Sequence, residues 1–316
     1  MEKRGLKKDK SKISIKFKVM LIALAIGIIL LIGAICCLCK GSKVDFENRI
    51  AVIKIEGAIG VESNYLGTSG VSADKINSYL EDAAKDDSIK GILIEINSPG
   101  GAVIASEEIA TKINSIKSKK PVVAFIKDTG ASGAYWIASS CNKIVAYPMS
   151  ITGSIGVIGS YLDYVGLMEK YGVNYNQLIA GKYKDIGSPY TELTPERKLV
   201  MQNIIDEIYN YFVEQVSKNR NLDKNTVKGL ATGMIYLGKD AKDLKLIDYL
   251  GDKEFAVNIT KQLANISEAK LVEYKEPVSL IDILRGVSSE SFYFMGKGLG
   301  NELFSLQNKN SLDIKI

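Results

Sequence analysis

Residues 19–39 (VMLIALAIGIILLIGAICCLC) run for 21 positions without a charged side chain. A helix rises about 1.5 Å per residue, so the run is long enough to cross a ~30 Å hydrocarbon layer. A cleaved leader would have a shorter apolar stretch followed by a small-x-small site. Here the run ends in Cys39-Lys40, and Ile35 before Cys36 does not fit lipid attachment there. A transmembrane anchor is therefore predicted. Eight basic and two acidic residues precede it in 1–18, a net +6, whereas only Lys40 and Lys43 closely follow. That asymmetry predicts a cytoplasmic arm at 1–18 and an extracytoplasmic remainder. The expected organisation is anchor 19–39, polar linker 40–48, a folded domain 49–285, and a C-terminal tail 286–316 without a clear pattern.

The overall charge of +5 belongs to the arm, and the rest of the chain carries −1. A near-neutral body gives no electrostatic reason to bind nucleic acid. There is no histidine anywhere in the 316 residues. That excludes a Ser-His-Asp triad, a Cys-His dyad and any histidine-ligated metal site. A hydrolase built on this chain must take its base from lysine, a carboxylate or water. Cys36, Cys37, Cys39 and Cys141 have neither metal-knuckle nor disulfide-framework spacing.

Within the domain, apolar runs at 50–59, 91–97, 121–127, 143–148 and 270–274 read as strands. Helical spacing appears at 72–86, with Ser72 as its cap, and at 103–117, 132–140, 195–218 and 252–266. Strands alternating with helices predict parallel βαβ units and a layered α/β fold. Thr194-Pro195 is a good start for the longest helix. Its Met201, Ile204, Ile205, Ile208, Phe212 and Val216 form one apolar face, which predicts core packing along its length.

Three segments could carry chemistry. Asn97-Ser98-Pro99-Gly100-Gly101 lies where a strand gives way to a helix. It suits either an ordinary turn or a backbone anion site, because paired glycines allow close approach and helix starts present free N–H groups. Thr129-Gly130-Ala131-Ser132-Gly133 lies at a second such junction. Ser132 there is either an accessible nucleophile or a helix cap. In Gly181-Lys182-Tyr183-Lys184-Asp185 no compositional feature distinguishes Lys184 from a solvated surface charge.

Taken together and in order, these segments resemble the signal peptide peptidase A family, over roughly residues 48–275. The set comprises Ser98-Pro99-Gly100-Gly101, Ala131-Ser132-Gly133-Ala134-Tyr135, Thr152-Gly153-Ser154-Ile155-Gly156 and Lys184-Asp185 before Ser188-Pro189. Leu237-Gly238-Lys239-Asp240-Ala241 follows. The Ser-Pro-Gly-Gly element is shared with the wider Clp protease and crotonase superfamily. The resemblance implies layered ββα units of the Clp protease/crotonase type behind an N-terminal transmembrane helix. It implies a serine endopeptidase with Ser132 as nucleophile, Lys184 as general base, Ser154 orienting the lysine, and the Gly101 and Gly133 amides as oxyanion donors. It implies no metal and no cofactor. Its expected substrates are apolar signal-peptide remnants in the cell membrane, and its expected assembly is a homo-oligomer with sites shared between subunits. Ala134 stands where relatives often have glycine, and Tyr183 and Gly187 also depart from the usual pattern, which bears on pocket shape.

A lysine base must be neutral, whereas a free lysine titrates near ~10.4. An adjacent carboxylate would oppose deprotonation, so the Asp185 side chain is expected to point away from the amine. Three other readings compete. They are a related membrane-bound protease with another membrane protein as substrate, a non-catalytic membrane scaffold, and a crotonase-type thioester enzyme. The last fits poorly with an extracytoplasmic site.

Overall fold

The computed structural model describes residues 26–27, 48–60 and 70–275. The expected arm, most of the anchor and linker, and the tail at 286–316 lie outside them. Among the described residues no helix is long and apolar enough to cross a membrane. The chain divides into two compact units, Met1–Glu47 and Asn48–Ile316. The second contains everything described below.

Its framework is a parallel sheet. Strands β1 (Arg49–Glu56), β4 (Ile89–Ser98), β5 (Val122–Ala131), β6 (Lys143–Ala146), β9 (Tyr249–Leu250) and β10 (Lys270–Tyr274) lie in the order β10-β1-β4-β5-β6-β9. Every neighbouring pair on that path is parallel. Beyond the end of β6, β5 pairs instead with β7 (Ile151–Gly153) through Thr129–Ala131. Strand β8 (Ile235–Leu237) then runs antiparallel to β7. A small parallel pair, β2 (Ala58–Ile59) and β3 (Gly70–Val71), sits beside the framework.

The central strands are apolar at nearly every position because both faces are covered. Side chains alternate between the faces with period two. Ala51, Ile53, Ile92, Ile94, Ala124, Ile126 and Ile144 join the larger core. Ile50, Val52, Leu93, Val123, Phe125 and Val145 join a smaller one on the other side. The larger core is closed by helices α1 (Ala73–Lys85), α2 (Val103–Ile116) and α3 (Gly133–Ser139), and the smaller by α8 (Lys253–Leu263). Burying an isoleucine or leucine contributes about 1.5–3 kcal/mol, and both clusters contain such fully buried side chains.

Four further helices lie among the described residues: α4 (Val165–Tyr171), α5 (Pro195–Arg220), α6 (Lys224–Leu230) and α7 (Gly238–Asp243). Ser72 caps α1 as expected, accepting from Lys75 N at 3.3 Å. Thr194 caps α5 with Pro195 following. The expectation that α5 packs into the core along its whole apolar face is corrected. Only Phe212, Val213 and Val216 are buried, while Leu199 and Ile204 are 61% and 54% exposed. The N-terminal half of the helix has no core beneath it. Instead it joins residues 158–190, an arm in which Ile158, Leu162, Leu167, Val173 and Leu178 are all exposed.

Candidate active site

Sheet register brings three separate loops to one place. Strand β4 ends at Ser98 and the chain turns through Pro99-Gly100-Gly101 into α2. The neighbouring β5 ends at Ala131 and turns at Ser132 into α3. Register pairs Ser98 with Gly130, so both turns lie at the same end of the sheet. Strand β7 pairs Ala131 with Gly153, which delivers Ser154 to that end as well.

Ser132 has φ 54° and ψ −124°. A non-glycine residue there costs on the order of 1–3 kcal/mol, held only because its surroundings over-determine it. Those surroundings are explicit. Ser132 N–H donates to Gly153 O at 2.8 Å, and Trp136 N–H donates to Ser132 O at 3.0 Å. The strained residue is thus pinned between a strand and the first turn of a helix. Although Ser132 occupies the cap position of α3, its hydroxyl makes no capping hydrogen bond. The helix-cap reading of this serine is thereby removed. Ser154 is likewise at positive φ, 49°, with its N–H donated to Met234 O at 2.8 Å.

Gly101 forms a parallel bridge with Ile59. Its ladder bonds run through the residues on either side: Ile59 N–H to Gly100 O at 3.0 Å, and Ala102 N–H to Ile59 O at 2.9 Å. The Gly101 N–H is therefore left on the opposite edge. A side chain at 101 would collide with the Ile59 backbone, so only glycine permits the bridge. Gly133 opens α3, and its N–H is one of the donors a helix leaves unpaired at its start. A Cβ there would strike the Ser106 hydroxyl and stand 3.4 Å from Gly101 N. The two glycines are thus close neighbours beside Ser132.

These groups face a cavity of about 530 Å³, lined by Gly101, Ser132, Gly133 and Ser154. Apolar side chains make much of the remaining wall, among them Val103, Trp136, Val157, Ile208 and Phe212. Trp136 stacks on Phe212 at 4.8 Å and meets Tyr211 edge-on at 5.8 Å. The Tyr211 hydroxyl donates to Glu107 at 2.6 Å, tying α5 across α2.

Lys184 is not part of that lining. It is exposed on a turn of the arm, with its N–H donated to Gly181 O at 3.1 Å. Among the described residues its amine forms no ion pair. The Asp185 carboxylate turns instead to Gln177 Nε2 at 2.8 Å and to both terminal nitrogens of Arg197, at 2.8 and 3.1 Å. The Gln177 hydrogen bond, with Arg197 behind it, holds this carboxyl below the usual aspartate range.

The structure thus gathers Ser132, Gly101, Gly133 and Ser154 within one chain and leaves Lys184 apart. Sequence reasoning missed Ser106, Trp136 and Phe212 as cavity walls, and Gln177 and Arg197 as partners of Asp185. The partners lie eight residues before and twelve after it, and no local periodicity links them. Ser106 could have been found as a small residue one turn into α2, on the face turned toward Gly133.

The Peptidase family S49 profile matches residues 114–267, and the Clp protease profile matches 68–151. A candidate protease of Methanocaldococcus jannaschii, MJ0651, is 38% identical over 93% of this chain and 97% of its own length. A candidate signal peptide peptidase SppA of Enterococcus faecium is 37% identical over 72% of this chain and 67% of its own. In fold, the chain resembles the 1510-N membrane-bound stomatin-specific protease, solved as a mutant with a substrate peptide. The TM-score is 0.50 at 16% identity, covering 77% of this chain and 99% of that one. The fold is mixed α/β and rich in parallel strands, and the family match with its relatives makes the chain a serine peptidase. More narrowly, it belongs to peptidase family S49, the family of signal peptide peptidase A.

Proposed function

We propose that the chain is a membrane-anchored serine endopeptidase that degrades apolar signal-peptide remnants, with Ser132 as nucleophile and Lys184 as general base. The observation that carries the reading is Ser132 itself. Its backbone is strained at an elbow, its hydroxyl is not used for capping, and Gly101 and Gly133 lie close together beside it in the wall of one cavity. In a chain without histidine, an amine is the natural acceptor for the serine proton. Lys184 takes that proton as Oγ attacks the peptide carbonyl. The Gly101 and Gly133 amides hold the oxyanion, and Ser154 orients the amine. The lysine then protonates the leaving amine and activates water for deacylation. Val103, Trp136, Val157, Ile208 and Phe212 in the cavity wall suit hydrophobic side chains, and the apolar run 19–39 is long enough to anchor the chain in the membrane where such peptides lie.

The position of Lys184 supports a shared site. It is exposed and outside the cavity lining of its own chain, on an arm whose apolar side chains are uncovered. A second copy would cover the arm and supply the amine. Two measurements test the proposal. A serine-reactive phosphonate should label wild type and not Ser132→Ala, and peptide hydrolysis should fall by about 10³-fold or more in either Ser132→Ala or Lys184→Ala. Mixing the two inactive proteins should restore activity if subunits share sites. Labelling that persists in Ser132→Ala would remove the nucleophile assignment.

A further inference from the structure

The segment 181–188 contains three charged residues, Lys182, Lys184 and Asp185. Two of them are taken by one dipeptide in the first turn of α5. Lys182 Nζ and the Tyr183 hydroxyl both donate to Glu196 at 2.6 Å, and Arg197 grips Asp185 with two nitrogens. The two pairs are not equal. Lys182 and Glu196 are 67% and 56% exposed, so that pair is worth little. Asp185 and Arg197 are 7% and 20% exposed, and their bidentate geometry is the strong form of such a contact. Arg197 also sits where the helix dipole disfavours a cation. Helix stability therefore does not explain an arginine there, whereas the Asp185 contact does.

We propose that the Asp185–Arg197 pair is a positioning device for Lys184. It fixes the turn that carries the lysine to the stem of α5, and it cancels the charge of the carboxylate next to that lysine in the chain. The inference rests on Lys184 being the base. Asp185 follows Lys184 directly on the same turn, so an uncompensated charge at 185 adds to the field in which the amine titrates. The groups facing Asp185 are Arg197 from α5 and Gln177 from the preceding loop, and those facing Arg197 include Glu196 with its partners Lys182 and Tyr183. Gln177 supplies a hydrogen bond without a charge, so the cancellation falls to Arg197.

The two halves of the pair predict opposite effects. Removing Arg197 leaves an anion beside the lysine, favours the ammonium, and moves the acid limb of the pH–rate profile up. Removing the Asp185 charge leaves a cation and moves the limb down. The test is kcat/KM for a fluorogenic apolar peptide, measured with the full chain in detergent from about pH 6 to 10. Arg197→Ala should raise the acid limb by about half a unit to one unit, and Asp185→Asn should lower it by a similar amount. The double variant should return it to the wild-type position. The displacements should shrink in about 0.5 M salt. A purely structural pair would lower kcat/KM at every pH and leave the limb in place, which would overturn the inference. Asp185→Asn keeps the side-chain shape, so it decides the question even if Arg197→Ala fails to fold. Lys184→Ala run alongside separates the two claims. Full activity in that variant sinks the base assignment, whereas an inert variant with an unmoved limb in the others sinks only the role of the pair.

Discussion

Ser132 shows how a site is held at a cost to stability. Its φ of 54° puts a Cβ where glycine is the natural occupant. Ser132→Ala and Ser132→Gly both remove the hydroxyl, but only the second removes the strain. Glycine adds unfolded-chain entropy worth about 0.4–1 kcal/mol, against strain on the order of 1–3 kcal/mol. The glycine variant should therefore be the more stable of the two by about 1 kcal/mol in urea unfolding, with both inactive. If the alanine variant is the more stable, the elbow is not strained in the folded enzyme. Legibility in the sequence was uneven at this level. Ser132, Gly101, Gly133 and Ser154 could be named only because the ordered set of segments that carries them resembles the signal peptide peptidase A family; taken singly, the serine suited a helix cap and the paired glycines an ordinary turn. Arg197 could not be named, because its partner is chosen by how a loop folds back on a helix.

Helix α5 is two helices in energetic terms. Phe212, Val213 and Val216 are buried against Trp136 and the larger core, and Leu199 and Ile204 stand in solvent. Its periodicity is the same in both halves, so pattern reading assigns both to a core. Phe212→Ala should cost about 3–4 kcal/mol in chemical denaturation, with loss of the cavity wall. Ile204→Ala should change the stability of a single chain by no more than about 0.5 kcal/mol. An equally large cost at Ile204 would mean that the stem is covered in solution. That comparison, read beside sizing of the two variants, tells whether the arm finds a partner.

The unit as a whole is locked around Asp248. Its carboxylate accepts from Ile144 N at 2.8 Å, from Arg220 at 2.9 Å and from Lys143 at 3.2 Å, joining the end of α5 to β6. Partial burial pushes its pKa up, but the Arg220 contact and the backbone donor outweigh this and leave it below the ordinary aspartate value of 3.8. A lowered folded value adds stability that is complete above the unfolded value and is lost as pH falls through the folded one. Asp248→Asn should therefore be less stable than wild type at neutral pH, by about 1–3 kcal/mol. The gap should begin to narrow below about pH 4 and close only as pH falls past the lowered folded value. A gap that stays constant into acid would show that packing rather than charge joins these elements.

Local chemistry was enough to read the α/β alternation, the helix caps at Ser72 and Thr194, and the exclusion of imidazole catalysis. Periodicity, capping and residue type are properties of neighbouring positions in a chain. Register, by contrast, is a relation between distant segments. The pairing of Ser98 with Gly130 and of Ala131 with Gly153 sets one loop beside another. The same kind of relation turns Asp185 to Arg197 and leaves half of an amphipathic helix uncovered. Those outcomes depend on which surfaces meet once the sheet has formed, and no stretch of sequence carries that information alone.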